Sequence, residues 1–221
     1  MLNRTSVTPQ AVEWSSKGDY EDYEKDATTL QQLADRVLKG KTLSKPALIF
    51  FHQPADPSGK GLDPLAVLTS GKDLSLGMAL HNVFDVYTVA VPKTTVLAGK
   101  SSPLTLVTDA KGQLLADTGG KGPITASSLY SAMSAASKIL GYDLKAKVTR
   151  ACSLVQTMIS LEGQVKTQRE NLAKIANPNQ RGVTESRIAD LEKRRIDLEA
   201  QEKAIWADLP TIKPESATKA G

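Results

Sequence analysis

Few side chains in this sequence carry reactive chemistry. Its 221 residues include one cysteine, Cys152, and two histidines, His52 and His81. A single cysteine cannot form a disulfide within the chain, and the two histidines are not spaced as metal ligands usually are. Cys152 falls in a helical pattern, where cysteine usually behaves as a small apolar residue. We therefore expect no catalytic residue, no metal site and no cofactor.

The turn at residues 52–58 is the second place where side-chain chemistry is conceivable. It follows an entirely apolar run at 47–51, which predicts a strand buried on both faces. Ser58 has an oxygen that can cap a following helix, and its place after an Asp-Pro pair is typical of a helix start. For His52 we expect a local hydrogen bond at the end of the strand.

The segments around this turn alternate between strand and helix signals. Residues 11–14 predict an edge strand, and residues 84–91 predict a second central strand because they are rich in branched and aromatic side chains. Apolar residues recur at helical spacing over 19–37 until Gly40, and a weaker helical signal covers 73–82. Two buried strands separated by a helix predict a parallel crossover.

A second group of strand signals begins at Pro103. This proline stands directly before the apolar run 104–107, and proline is tolerated at the first residue of a strand. A Lys-Gly pair at 111–112 predicts a tight turn, in which glycine adopts a positive φ at little cost, followed by an antiparallel partner strand. Either Thr125 or Ser127 is suited to cap a closing helix.

Together, the order of these elements, the turn at 52–58 and Pro103 resemble the thioredoxin-like fold family over about residues 11–141. The resemblance implies an α/β fold with a mixed sheet flanked by helices, and it implies that Pro103 is the family's cis proline. It also implies that Ala55 and Ser58 stand where the family has its two redox cysteines. Thiol–disulfide exchange requires a thiolate, so neither alanine nor serine can perform it. We therefore interpret the domain as redox-inactive.

The C-terminal part of the chain changes to a heptad pattern. Apolar residues alternate at intervals of three and four in two arms, which predicts an antiparallel coiled-coil hairpin over 143–209. The seam residues are Ala151, Leu154, Met158, Leu161, Val165, Leu172 and Ile175 in the first arm and Ile188, Leu191, Leu198, Ile205 and Leu209 in the second. Residues 177–182 predict the break between the arms, because proline lacks an amide hydrogen and asparagine and glycine favour turns. Since Arg195 and Glu202 occupy seam positions, the hairpin alone should be only marginally stable.

Four acid-before-base pairs at a spacing of four residues favour the two helical arms. The pairs are Glu162–Lys166, Glu170–Lys174, Asp190–Arg194 and Glu199–Lys203. Each such pair contributes only a few tenths of a kcal/mol to helix stability. We therefore expect the apolar seam, and not these pairs, to hold the hairpin together.

Charge and hydropathy exclude several classes of protein. The net charge is +4 at pH 7, but the excess lysines are scattered without aromatic neighbours, so we expect no nucleic-acid groove. No apolar stretch reaches the roughly 18 residues that span a membrane, and the first residues do not form a secretory signal. We expect no transmembrane segment and a cytoplasmic location, or the periplasm or another compartment if a leader was removed. The predicted organisation is a flexible N-terminus at 1–10, the thioredoxin-like domain at 11–142, the hairpin at 143–209 and a disordered tail at 210–221.

These patterns favour protein association over catalysis. Our leading hypothesis is a redox-inactive accessory or scaffold subunit of a larger assembly, bound to other proteins or to its own copy. The turn and Pro103 would receive an extended peptide, and the hairpin would supply a second contact with Trp206 as an aromatic anchor. The candidate partner-binding residues are Pro54, Ala55, Asp56, Ser58, Pro103, Leu154, Met158, Leu161, Leu191, Leu198, Ile205 and Trp206.

Two alternative functions remain open from the sequence. In the first, the protein is an enzyme that binds a thiol cofactor such as glutathione and polarises it with Ser58 or His52. That hypothesis predicts a rise in melting temperature when glutathione is added. In the second, the protein is a holdase-like chaperone that grips unfolded clients with its hairpin.

Overall fold

A five-stranded sheet organises the first part of the chain. The computed structural model of the protein describes residues 7–12, 29–54, 65–69, 73–92, 95–119 and 123–209. These residues divide into two compact units, one that ends at Lys145 and also includes Leu209, and one that comprises Ala146–Asp208. We call the first the sheet unit and the second the helical unit.

The sheet unit is a mixed α/β structure, as predicted. Its described strands are β1 Gln10–Val12, β2 Ala47–His52, β3 Asp85–Ala90, β4 Val96–Leu97, β5 Lys100–Ser101, β6 Leu104–Thr108 and β7 Leu114–Asp117. Five of them form one sheet in the order β1-β3-β2-β6-β7, and β4 pairs with β5 in a separate antiparallel ribbon. Strands β1 and β2 run parallel to β3, whereas β6 is antiparallel to β2 and β7 is antiparallel to β6.

The two central strands lie where the sequence predicts them. Every residue of β2 is buried, in agreement with its uninterrupted apolar pattern. Its parallel register with β3 places Phe50 opposite Thr88, which confirms the parallel pairing of the two strands. The predicted edge strand is also present, although it begins at Gln10, and Glu13 and Trp14 lie outside the described residues.

The described part of the sheet unit contains four helices, three of which begin with a capping side chain. They are α1 Leu30–Leu38, α2 Ala66–Thr69, α3 Leu74–Val83 and α4 Ala126–Ile139. Thr29 caps α1 in a capping box with Gln32, and Thr29 itself has extended backbone with a φ of −128°. This helix lies within the helical stretch predicted over 19–37, and the predicted start at Asp19 lies outside the described residues. Thr125, one of the two predicted candidates, caps α4.

The alternation of β2 side chains builds the core on both faces of the sheet. Ile49 and Phe51 join a buried cluster with Leu33 of α1 and Leu106 of β6. Leu48 is equally buried, and strand alternation directs it to the opposite face. Because apolar side chains pack against both faces of β2, the position of the carboxyl end of this strand is fixed, and with it the start of the segment that follows.

The segment from Pro103 to β7 also follows the sequence prediction. The Ser102–Pro103 peptide bond is cis, as the resemblance implied. Gly112 has a φ of +86°, in the left-handed region that favours glycine. Asp109 fixes the same turn, because its carboxylate accepts hydrogen bonds from the backbone N–H groups of Lys111 and Gln113, both at 2.8 Å.

Two long helices form the C-terminal part: α5 spans Leu144–Leu172 and α6 spans Pro178–Ala207. The predicted break at 177–182 was too long, because α6 already begins at Pro178. Proline suits the first helical position, where no intrahelical acceptor awaits its nitrogen, and the Asn177 side chain caps the helix by accepting from the Asn179 N–H at 3.0 Å. The predicted seam residues Ile175 and Leu209 lie beyond the ends of these helices.

The ion pairs of the two helices differ from the predicted set. Arg169 of α5 contacts Glu192 of α6, and the pairs at a spacing of four residues are Arg181–Glu185 and Arg195–Glu199, with the base first. Among the described residues, the predicted pairs Glu162–Lys166, Glu170–Lys174 and Asp190–Arg194 do not form. Ion pairs on exposed helices contribute little, so side-chain packing and solvent decide which ones form.

In the part of the chain that the structure describes, no helix combines the length and the apolar character that crossing a membrane requires.

Candidate functional site

The end of β2 and the start of β6 meet at one edge of the sheet. The antiparallel register pairs Phe51 with Leu104, and continuing it by one residue brings His52 opposite Pro103. The two places that the sequence singled out are therefore neighbours. Pro54 is exposed just beyond them. The other predicted turn residues, Ala55, Asp56 and Ser58, lie outside the described residues.

His52 is held by local contacts, which confirms the expectation for this residue. Its side chain is buried, and its Nδ1 donates a hydrogen bond to the carbonyl oxygen of Gln53 at 2.7 Å. Its ring also stacks on Phe50, with ring centroids 5.7 Å apart. The His52 carbonyl accepts from the Val91 N–H at 2.8 Å. These contacts fix the imidazole at the end of the strand.

The β4–β5 ribbon leads directly into Pro103 and was missed by sequence reasoning. It turns at Ala98 and Gly99, which both have positive φ angles, of 51° and 80°. The Lys100 ammonium contacts the Asp117 carboxylate of β7 at 2.7 Å, and the same carboxylate oxygen accepts from the Gly119 N–H at 2.6 Å. Strands of two residues are too short to produce a period, so Gly99 was the only usable signal.

The second group of predicted contact residues lies in the helical unit. Met158, Leu161 and Ile205 are buried in this structure. The remaining four are half-buried: Leu154, Leu191, Leu198 and Trp206. The Trp206 indole nitrogen is buried without a hydrogen-bond partner. The buried seam residues are already packed, whereas the half-buried ones retain surface that a partner can contact.

Between α5 and α6 lies a cleft of about 600 Å³ that is lined by charged and apolar side chains. It is lined by Glu162, Val165, Lys166, Arg169, Glu170, Glu192, Arg195 and Ile196. Three of these side chains are basic and three are acidic, so the net charge of the cleft is zero. No motif in the sequence predicts this cleft, because it depends on the distance between two helices.

A smaller cleft of about 320 Å³ lies at the opposite end of the helix pair. There the Lys147 ammonium donates to the backbone carbonyl of Ile205 at 2.8 Å. A cation at the last turn of a helix satisfies a free carbonyl and opposes the negative end of the helix dipole. Lys147 therefore has a structural role at the end of α6, with the start of α5 beside it.

Two described tyrosines of the sheet unit have a raised pKa, and neither lies at the end of β2. Burial raises the pKa of Tyr142 to about 12. Burial also raises the pKa of Tyr87, with a smaller contribution from the Asp85 carboxylate, and the Lys41 ammonium lies 5.2 Å from the centre of its ring. Both causes oppose formation of a phenolate, so these residues are packing elements of the sheet unit.

Cys152 is half-buried on α5 and forms no disulfide. Within the described ranges no three or more His, Cys, Asp or Glu side chains are grouped so that they could hold a metal ion. Comparisons of the chain with protein-family models, with curated proteins and with solved structures found no match.

Proposed function

We propose that this protein is a redox-inactive, thioredoxin-like accessory subunit that holds proteins together in a larger assembly. The observation that carries the proposal is that the chain's single cysteine lies on α5, about 100 residues after the turn that follows β2, in a molecule with a separate unit of two long helices. Without a thiol in that turn, the sheet edge can bind a partner but cannot exchange disulfides with it.

The topology of the sheet unit supports the thioredoxin-like part of this proposal. A parallel central pair, an antiparallel strand that begins after a cis proline and a final antiparallel edge strand occur in the order that the resemblance implies. In the proposal, the exposed Pro54 and the neighbouring Pro103 contact an extended segment of the partner.

The helical unit supports the association part. Its two helices have 29 and 30 residues, which gives each a length of roughly 45 Å. Helices of this length expose far more side-chain surface than their own pairing buries. The half-buried Leu191, Leu198 and Trp206 provide apolar contacts of the kind that often dominate the binding energy of interfaces.

The first test is the native mass and subunit composition of the protein isolated gently from its source. We expect a stoichiometric complex with an identified second protein, and we expect the complex to persist in reducing buffer because no disulfide is involved. Isolation as a free monomer would contradict the proposed function. A complex that forms only under oxidising conditions would contradict its redox-inactive part.

A pair of proline variants sharpens the test. Pro54→Glu places a charge at the proposed peptide contact, so we expect at least a tenfold loss of affinity for the partner, equivalent to about 1.4 kcal/mol. Pro123→Glu changes another exposed proline of the sheet unit and serves as the matched control. Equal affinities of the two variants would show that the partner does not use the end of β2.

Glutathione decides the thiol-cofactor alternative in the same preparation. Under the proposed function, millimolar glutathione leaves the melting temperature unchanged, because no site for it exists on the native protein. A concentration-dependent rise in melting temperature would favour the enzyme instead.

A further inference from the structure

One side of the helical unit combines exposed apolar groups with a mixed-charge cleft. Ile196 lines the cleft and is 57% exposed. Ile159 is 52% exposed and precedes Glu162 by three residues, so it lies on the same stripe of α5 as that cleft residue. We call the cleft residues together with Ile159 the cleft face. Exposed aliphatic side chains at the edge of a concave surface are a feature of contact sites.

The charges of the cleft face are only partly neutralised within the chain. Arg169 is paired with Glu192, and Arg195 is paired with Glu199. Glu162, Lys166 and Glu170 make no ion pair among the described residues. Lys166 and Glu170 are exposed on α5 and Glu162 is half-buried, so the surface presents charges of both signs that a partner can complement.

This balance of charge selects the chemistry of the partner. Nucleic acid and anionic lipid require an excess of positive charge, and the cleft face has none. A strongly acidic or strongly basic peptide would meet like charges as often as opposite ones. The surface that fits has interspersed acids and bases and an apolar side chain at the edge, and the cleft face itself meets this description.

We propose that the cleft face is the contact between two copies of this chain, an inference that rests on the proposed function and names the partner of its helical unit. A two-fold axis that crosses α5 near Gln164 places Glu162 of each copy opposite Lys166 of the other. Gly163 lies beside this axis, and a Cβ added there would meet no atom within 4 Å. The bare backbone therefore allows close approach of the two helices, and the isoleucines cover the edges of the contact.

Sedimentation velocity of the full chain tests the inference directly. Between about 1 and 100 μM we expect the mass to rise from the 23.7 kDa of one chain towards twice that value. The double variant Ile159→Asp/Ile196→Asp should weaken this association at least tenfold. Val183→Asp is the matched control, because Val183 is 72% exposed on α6 but does not line the cleft.

A charge swap tests whether the two copies associate through opposite charges, or whether any change of these side chains weakens the dimer. Lys166→Glu places like charges opposite each other in the dimer and should weaken association. Glu162→Lys/Lys166→Glu restores opposite charges across the two-fold axis and should recover it. Both residues lie within the regular helix α5, and glutamate and lysine are both good helix formers. Circular dichroism should therefore show unchanged helicity in each variant.

The outcomes distinguish this inference from the proposed function. A chain that stays monomeric at all concentrations overturns the inference, and so does a dimer that is insensitive to the cleft variants. One copy in a stoichiometric complex with a different protein also overturns it, while supporting the proposed accessory role. A cleft-dependent homodimer that is isolated without any other subunit supports the inference and contradicts that role.

Discussion

The two units of this protein bury their apolar residues in different ways. In the sheet unit, every residue of β2 is buried, and Phe51 and Leu106 have no exposed surface. In the helical unit, Leu191 and Leu198 are only half-buried, and the half-buried Arg195 occupies a seam position between them. A sheet covered on both faces removes its side chains from water, whereas a pair of helices shields one stripe of each. The same apolar side chain therefore contributes less stability in the helical unit.

The side-chain hydrogen bonds of the two units connect groups at different distances along the chain. In the sheet unit, the Gln31 side chain donates to the Gly112 carbonyl at 2.9 Å and accepts from the Leu114 N–H at 2.7 Å, more than 80 residues away in sequence. In the helical unit, Thr157, Thr167 and Thr184 donate to carbonyls four residues before them, whereas Lys147 donates to the Ile205 carbonyl 58 residues away. The local bonds require only a helix, whereas the long-range bonds of both units require that distant segments pack together.

The largest expected contrast comes from one substitution made in each unit. Leu106→Ala removes a fully buried side chain of β6 and should cost about 2–5 kcal/mol of unfolding free energy. Leu198→Ala, at a half-buried position of α6, should cost about 1 kcal/mol, because solvent already reaches the side chain. Urea unfolding followed by circular dichroism measures both losses. Equal losses would show that the helical unit is packed as tightly as the sheet.

Glycine-to-alanine substitutions should have opposite signs in the two units. Gly182 lies within α6 with no atom within 4 Å of an added Cβ, so Gly182→Ala should stabilise the protein by up to about 1 kcal/mol. Gly112→Ala should destabilise it by about 1 kcal/mol or more, because alanine rarely adopts its φ of +86°. Thermal unfolding measures the two changes, and a stabilising Gly112→Ala would contradict the turn geometry.

Tyr142 offers a pH-dependent test in the sheet unit. Its hydroxyl is buried without a hydrogen-bond partner, so Tyr142→Phe should change stability by less than about 1 kcal/mol at neutral pH and is expected to raise it. The folded-state pKa of about 12 exceeds the ordinary value of 10.0. The unfolded chain therefore loses this proton first, and stability falls as pH rises from 10 towards 12.

Unfolding experiments at alkaline pH measure this dependence. The slope should be shallower in Tyr142→Phe by at most about 1.4 kcal/mol per pH unit, the limit for one proton. Tyr87, whose pKa is also raised, should maintain part of the slope in the variant. Identical slopes in the two proteins would show that the Tyr142 hydroxyl reaches solvent.

The smallest effect is expected at an exposed ion pair of the helical unit. Arg181 and Glu185 are both more than half exposed, so Glu185→Gln should cost no more than about 0.5 kcal/mol. The difference should vanish in 1 M salt, where the Debye length is about 3 Å. A larger loss that persists in salt would indicate a contact beyond the ion pair.

Sequence reasoning succeeded where local pattern and burial agree. The apolar run of β2 and the glycine turn at Gly112 were anticipated, Thr125 was one of two candidates for the cap, and the cis bond before Pro103 was implied by the resemblance. It failed at Pro178, which was predicted to lie in the break between the two helices but is the first residue of α6. It also did not anticipate the interruption at Thr29, since the helical period continues through this residue although its backbone is extended.

The candidate site was anticipated only in part. The register of β2 with β6 brings His52 and Pro103 together, as the order of elements suggested. The β4–β5 ribbon was not anticipated, because Val96 and Leu97 form a strand too short to produce a pattern. The contact of Arg169 with Glu192 was not anticipated either, since 23 residues and a change of direction separate the two side chains.

The sequence is sufficient to assign most segments to strand or helix and to limit their chemistry. Hydrophobic periodicity distinguishes buried strand from amphipathic helix, and a turn without cysteine cannot exchange disulfides whatever its surroundings. The packing of α5 and α6 specifies which of their apolar residues are buried and which remain half-exposed. It also specifies which acids meet which bases, because these outcomes depend on the distance and rotation between elements, and no local pattern encodes either.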